Sequence, residues 1–182
     1  MTFDFPGYEL RFIQRARCND GTSHLYTYIF KFFSPVTSYH YVVRAEYHVY
    51  DVFAVKFYCK KDRKSDYKYS KIVNKGDLGN VIMSCAKVIP LLLKTHPKAS
   101  FCFAASRSVD FQNKTIEDYG QTQRFRLYQY MIPLKFGLKT FEHFAYVAIS
   151  SYLLYNRAAG STKEDIEIMF KSTYTDLSEI NL

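Results

Sequence analysis

Tryptophan is absent from this sequence, and so are the common signatures of catalysis. There is no G-x-x-x-x-G-K-[ST], no G-x-G-x-x-G, no H-E-x-x-H and no G-x-S-x-G. These absences argue against the corresponding nucleotide, zinc and nucleophile-elbow enzymes, and no residue is singled out as catalytic. The five histidines (His24, His40, His48, His96, His143) are isolated. His40 and His48 share a strand face but stand on the order of 26 Å apart, too far to hold one ion. No C-x-x-C occurs among Cys18, Cys59, Cys85 and Cys102, and none has a histidine at the usual metal-ligand spacing. Three of the four sit in apolar patterns, where a free thiol acts as a small hydrophobe. The expectation is reduced, structural cysteines in a cytoplasmic protein, with no metal and no cofactor. No apolar run approaches the roughly 18 residues of a membrane span. The start, Met1 to Pro6, lacks the basic and apolar regions of a signal peptide. The sequon Asn113-Lys114-Thr115 carries no meaning in such a compartment.

What is present points to a sheet protein with helices. The 182 residues suit one well-buried domain. Aromatic residues make up 18%, as 17 Tyr and 16 Phe, types that favour strands. The first third alternates with a period near two. Tyr8, Leu10 and Phe12 share one face, and Asn19-Asp20-Gly21 supplies a turn. Further strands are expected over Leu25 to Phe33, Tyr39 to Val49 and Val52 to Cys59, together an antiparallel meander. In the run from Leu25 both alternating sets are apolar, as in a strand covered on both faces.

Asp77 then reads as the N-cap of a helix carrying Val81, Ile82, Cys85, Val88, Ile89 and Leu92 at helical spacing. Pro90 lies inside and should kink it. Phe101 to Ser106 reads as a strand. A long polar loop from Arg107 to Glu117 leads to a helix around Gln121 to Tyr128. Phe144 to Ile149 and Ser151 to Tyr155 read as two strands, or as one helix starting at Thr140, since periodicity alone does not decide short apolar runs. Ser161 and Glu164 form a capping box for a final helix lined by Ile166, Met169, Phe170, Thr173, Tyr174 and Leu177. The fold expected is α+β in a single domain. A four-stranded antiparallel meander is packed by a kinked core helix and followed by strand, helix, strand, strand and helix.

The formal charge of +8 is uneven. From Gly160 to Leu182 there are two basic and five acidic residues, a net −3, which leaves +11 on the rest. A basic body suits an anionic partner such as nucleic acid or a membrane surface. The basic residues concentrate in Lys60 to Lys75, where Lys60, Lys61, Arg63, Lys64, Lys68, Lys71 and Lys75 face only Asp62 and Asp66. One reading is a solvated connection. The other notes Tyr67 and Tyr69 among the lysines, because basic groups track a phosphate backbone while aromatics stack on bases.

A second candidate lies in the central helix. At about 100° per residue, Arg124 falls in the middle of an apolar arc formed by Phe125, Leu127, Tyr128, Met131, Ile132 and Leu134, with Gln121 close by. An arginine aimed at a core must be met by something, because an unpaired buried charge is very costly. Asp110, Glu117, Asp118 and Glu142 are the candidate internal partners. The alternative is a pocket in which Arg124, Gln121 and Tyr128 face Ser106, Arg107 and Ser108 and bind a phosphate or carboxylate.

From Lys75 onward the chain resembles a family of small bacterial proteins of Bacteroidota type, of unknown function. Gly76-Asp77 heading an apolar helix, the strand Ser100 to Ser106 and the T-x-R-F-R-L-Y run from Thr122 to Tyr128 carry the resemblance. Phe141-Glu142-His143-Phe144 and the stretch from Ser151 to Asn156 fit it too. It covers about half the chain and implies that Arg124, Arg126 and Tyr128 matter, without a role for them. Three functions follow as expectations. They are nucleic-acid binding without catalysis, an enzyme or sensor for a small anion at Arg124, and a protein-interaction or homo-oligomeric module.

Overall fold

The computed structural model of the protein describes residues 4–71 and 75–174. Four consecutive strands form an antiparallel meander: β1 (Arg11–Arg17), β2 (His24–Ser34), β3 (Tyr39–His48) and β4 (Val52–Cys59). Left-handed Ser38, and Tyr50 with Asp51, make the tight connections on either side of β3. Two helices follow, α1 (Leu78–Ala86) and α2 (Val88–Leu93), and carry the chain across to β5 (Ser100–Ala104). β5 lies parallel to β4, with Val52 opposite Ser100 and Val55 opposite Phe103. Parallel neighbours need a crossover of this length, and the helix pair supplies it.

Next comes a small ribbon, β6 (Val109–Asp110) with β7 (Thr115–Ile116), and then α3 (Gln123–Phe136). The hairpin of β8 (Phe141–Tyr146) and β9 (Ser151–Asn156) turns through left-handed Ser150. α4 (Lys163–Thr173) follows. β9 pairs with β5, giving one seven-stranded sheet in the order β1-β2-β3-β4-β5-β9-β8. The fold is mixed α+β.

Helices cover both faces of the sheet. α1, α2 and α3 pack over Phe30, Val43, Phe53, Val55, Phe101 and Leu154 in the main core. On the opposite face α4 buries Ile166, Met169 and Phe170 against Val52, Ala54 and Leu153. Neighbouring residues of β4 therefore enter different cores, which explains its nearly unbroken apolar sequence. The two-sided cover expected for β2 belongs to β4 instead. On β2 the outer apolar residue Phe33 is 46% exposed.

Several local expectations shift. The first strand begins at Arg11 rather than Tyr8, because Tyr8 and Leu10 pack on the main core before β1 starts. Where one kinked helix is expected there are two, separated at Lys87. Pro90 is the third residue of α2, within the first turn, where its missing N–H leaves no helical bond unmade. Asp77 holds the N-cap position of α1 without a side-chain cap. Its carboxylate instead accepts from the Tyr8 and Ser34 hydroxyls and the Asn80 amide. The capping box of α4 is Thr162 with Asp165, one residue beyond the expected Ser161 and Glu164. Leu177 lies outside the described residues.

Candidate functional site

Arg124 enters through the geometry at the start of α3. Thr122 is the N-cap, accepting from Phe125 N at 3.3 Å, and its own hydroxyl donates to Ala105 O. The end of β5 thus fixes the azimuth of α3 and turns Arg124, Tyr128 and Ile132 inward. Arg124 is only 7% exposed. None of the acids expected as its partner ion-pairs with it. Glu142 pairs with Arg157 at 2.7 Å, and Asp110 accepts from Gln112 N and the Asn113 amide groups within its own turn. The guanidinium donates to the main-chain carbonyls of Tyr69 and Lys71, the latter at 3.1 Å, and lies 5.0 Å from the centre of the Phe57 ring.

Those two carbonyls belong to the basic segment, so the two stretches singled out in the sequence form one structure. Val109 N donates to Ser70 O at 2.9 Å, and Lys71 forms a parallel bridge with Val109. Residues 67–71 are thereby strapped between the β6–β7 ribbon and α3. Glu117 closes the same unit. Its carboxylate accepts from Ser108 N at 2.8 Å and from Gln123 N at 2.9 Å at the start of α3. Burial pushes its pKa up, but these N–H bonds and nearby Arg124 outweigh that and hold it below the ordinary value.

The expected pocket is only partly assembled. Ser106 and Arg124 share a cavity of about 160 Å³ with Lys56, Phe57, Tyr69 and Ala104. Tyr128 lies in the core against Phe103, with burial raising its pKa. Gln121 is exposed with left-handed backbone, and Arg107 stacks 3.8 Å over the Tyr119 ring. Ser108 is buried beneath the loop.

Around the strap the aromatics divide into two groups. Tyr69 is edge-on to Tyr58 at 5.5 Å, and burial pushes its pKa up to about 12. Lys68 sits over both rings. Tyr67 and Phe111, in contrast, are 58% and 56% exposed with ring centres 5.8 Å apart, and Lys71 lies 5.8 Å from Phe111. Lys71 also pairs with Asp62 at 3.1 Å, and Lys61 lies over Tyr39. Lys60, Lys61, Arg63 and Lys64 are exposed. Phe111 was hidden from sequence reasoning because only the bridge between Lys71 and Val109 brings its turn beside Tyr67.

Two further groups stand apart. Ligand atoms of Cys18, Asp20 and His24 lie within 4.8 Å of one another at the turn between β1 and β2. The Thr22 hydroxyl and N–H hold Asp20 down at about 2, and His24 Nε2 is bonded to Tyr26 O and Thr27 Oγ1. A thiol, a carboxylate and an imidazole in this arrangement could take a borderline-soft divalent ion. Their spacing in the sequence matches no standard ligand pattern. Next to this cluster, at the C-terminal end of β3, buried His48 stacks on His24 with ring centres 5.1 Å apart and links Ser23 Oγ at 2.9 Å to the Tyr174 hydroxyl at 2.9 Å. Tyr174 donates to Glu46, which pairs with Lys56 at 2.8 Å.

No family model, curated protein or solved structure matches the chain. No helix among the described residues is long and apolar enough to cross a membrane.

Proposed function

We propose that the strapped basic surface binds single-stranded nucleic acid without catalysing a reaction on it. The observation that carries this reading is the solvent-facing Tyr67–Phe111 pair beside Lys71, on a segment where Lys60, Arg63 and Lys64 are exposed. Unstacked bases would lie on the two rings, and phosphates would meet the basic groups. Tyr69 is not part of the platform, since its ring is already covered by Tyr58 and Lys68. A small anion at Arg124 would have to displace the Tyr69 and Lys71 carbonyls, which favours the surface over the pocket.

Fluorescence anisotropy with labelled oligo-dT, oligo-U and a duplex, over a salt series, tests the proposal. Affinity for the single strands should fall steeply with salt, and Lys64→Gln should lower the slope of log K against log salt by about 0.7. Tyr67→Ala and Phe111→Ala should each weaken binding roughly tenfold, the lower end of stacking energies, and leave that slope in place. Absence of binding to every probe at low salt would refute the assignment, as would affinity indifferent to both ring deletions.

A further inference from the structure

On the face of the sheet opposite α1–α3, a chamber of about 300 Å³ lies between the sheet and α4. The sequence explains why it is hollow. Ala54 on β4 is the register partner of Cys102 on β5, and Ala104 on β5 is the partner of Ser151 on β9. Four small side chains therefore sit together across three adjacent strands, while Ile166 and Phe170 of α4 face them. The space opens to solvent beside Lys171, and engineered apolar cavities of roughly half this size take up small hydrocarbons.

The rim gives the occupant's polarity. Lys56 is neutralised by Glu46 at 2.8 Å. Glu167 pairs with Lys163 at 3.0 Å, accepts from the Tyr146 hydroxyl and feels the charge of Lys171, so one acid stands against two cations. Lys171, one turn beyond Glu167 on α4 and exposed, forms no ion pair among the described residues. A chamber with apolar walls whose mouth carries, among the described residues, one more cation than it has ion-paired acids is complementary to a molecule with a hydrocarbon chain and a single negative head.

We propose that this chamber binds a medium-chain monocarboxylate. Its alkyl chain lies over Ala54, Cys102 and Ala104 beneath Ile166 and Phe170, and its carboxylate meets Lys171. The site shares Lys56 and Ala104 with the small cavity at Arg124, but Tyr67 and Phe111 are not among its walls, and it does not depend on the nucleic-acid reading. Calorimetric titration of the full chain with decanoate, decanol and decylammonium tests it. Decanoate should bind one molecule per chain, at least tenfold more tightly than decylammonium, with decanol between them. Lys171→Glu, a surface change, should reverse the order of the two charged probes. Ala54→Leu, which fills the floor, should weaken all three together. No saturable decanoate binding would overturn the proposal. Equal affinity for both charged probes, or a Lys171→Glu variant that keeps the original order, would also overturn it.

Discussion

His48 is completely buried, and its environment decides its charge. Burial, and then the neighbouring His24, hold its pKa down at about 4, against 6.5 for a free imidazole. The folded chain thus keeps His48 neutral where the unfolded chain already binds a proton. Because the unfolded state takes up the extra proton, stability should fall as pH drops from about 6.5 towards 4, by up to about 1.4 kcal/mol per pH unit. Above pH 6.5 this residue should contribute no slope. Glu46 adds a loss at lower pH. Burial raises its pKa, but Lys56 and the Tyr174 hydroxyl outweigh that and hold it below 4.5. Urea unfolding of the native chain and of His48→Gln at several pH values checks this. The variant should lack the dependence between 6.5 and 4.5, and an unchanged slope would remove His48 as its source. None of this is legible in the sequence, where His48 looks like the polar member of an alternating strand. Its burial comes from α4 and Tyr174, more than a hundred residues away.

Among the elements, those set by local chemistry were the readable ones. β3 and β4 lie within a residue of where alternation puts them, and α3 covers the expected Gln121 to Tyr128 from Gln123 onward. β1 was misplaced because it is an edge strand exposed on both faces, so its own residues carry little alternation. The stretch from 140 to 156 had two readings. It is a hairpin because β9 is taken up between β5 and β8, a pairing no local pattern reveals. Likewise, the 100° advance along α3 located Arg124 in the apolar arc but could not name main-chain carbonyls 53 and 55 residues away as its partners. On its α3 side, the strap of residues 67–71 is therefore held by one side chain, Arg124. Arg124→Met should leave two carbonyls unmet and cost about 1–3 kcal/mol in urea unfolding. It should also hasten tryptic cleavage after Lys64 and Lys68 well before global unfolding. Arg124→Lys should rescue little, since an ammonium lacks the planar fork that reaches both oxygens. Cleavage unchanged in Arg124→Met would mean that the ribbon alone holds the strap.

At the scale of the molecule, charge and fold tell different things. The excess of basic residues is plain from composition, but only the fold brings Tyr67 and Phe111 together beside Lys71. The outer edge of the sheet shows the same division. β1 carries Arg11, Arg15 and Arg17, and its register slips between Phe12 and Gln14. Positive charge and a bulge are two ways of discouraging another strand from adding there. The β4–β5 junction is the one parallel pairing in the seven-stranded sheet, joining an antiparallel meander to the antiparallel trio β5-β9-β8. Its meaning lies in time rather than in space. Every pairing within β1–β4 closes a short loop, whereas β5 reaches β4 only after about 40 intervening residues, and long closures are slow. Pulse-labelled hydrogen exchange during refolding should protect the amides of β2 and β3 before those of β5 and β9, and simultaneous protection would contradict this order. If the meander does form first, β4 waits as a bare apolar edge until the crossover arrives. The interval before β5 docks is then when the chain is most exposed to the wrong neighbour.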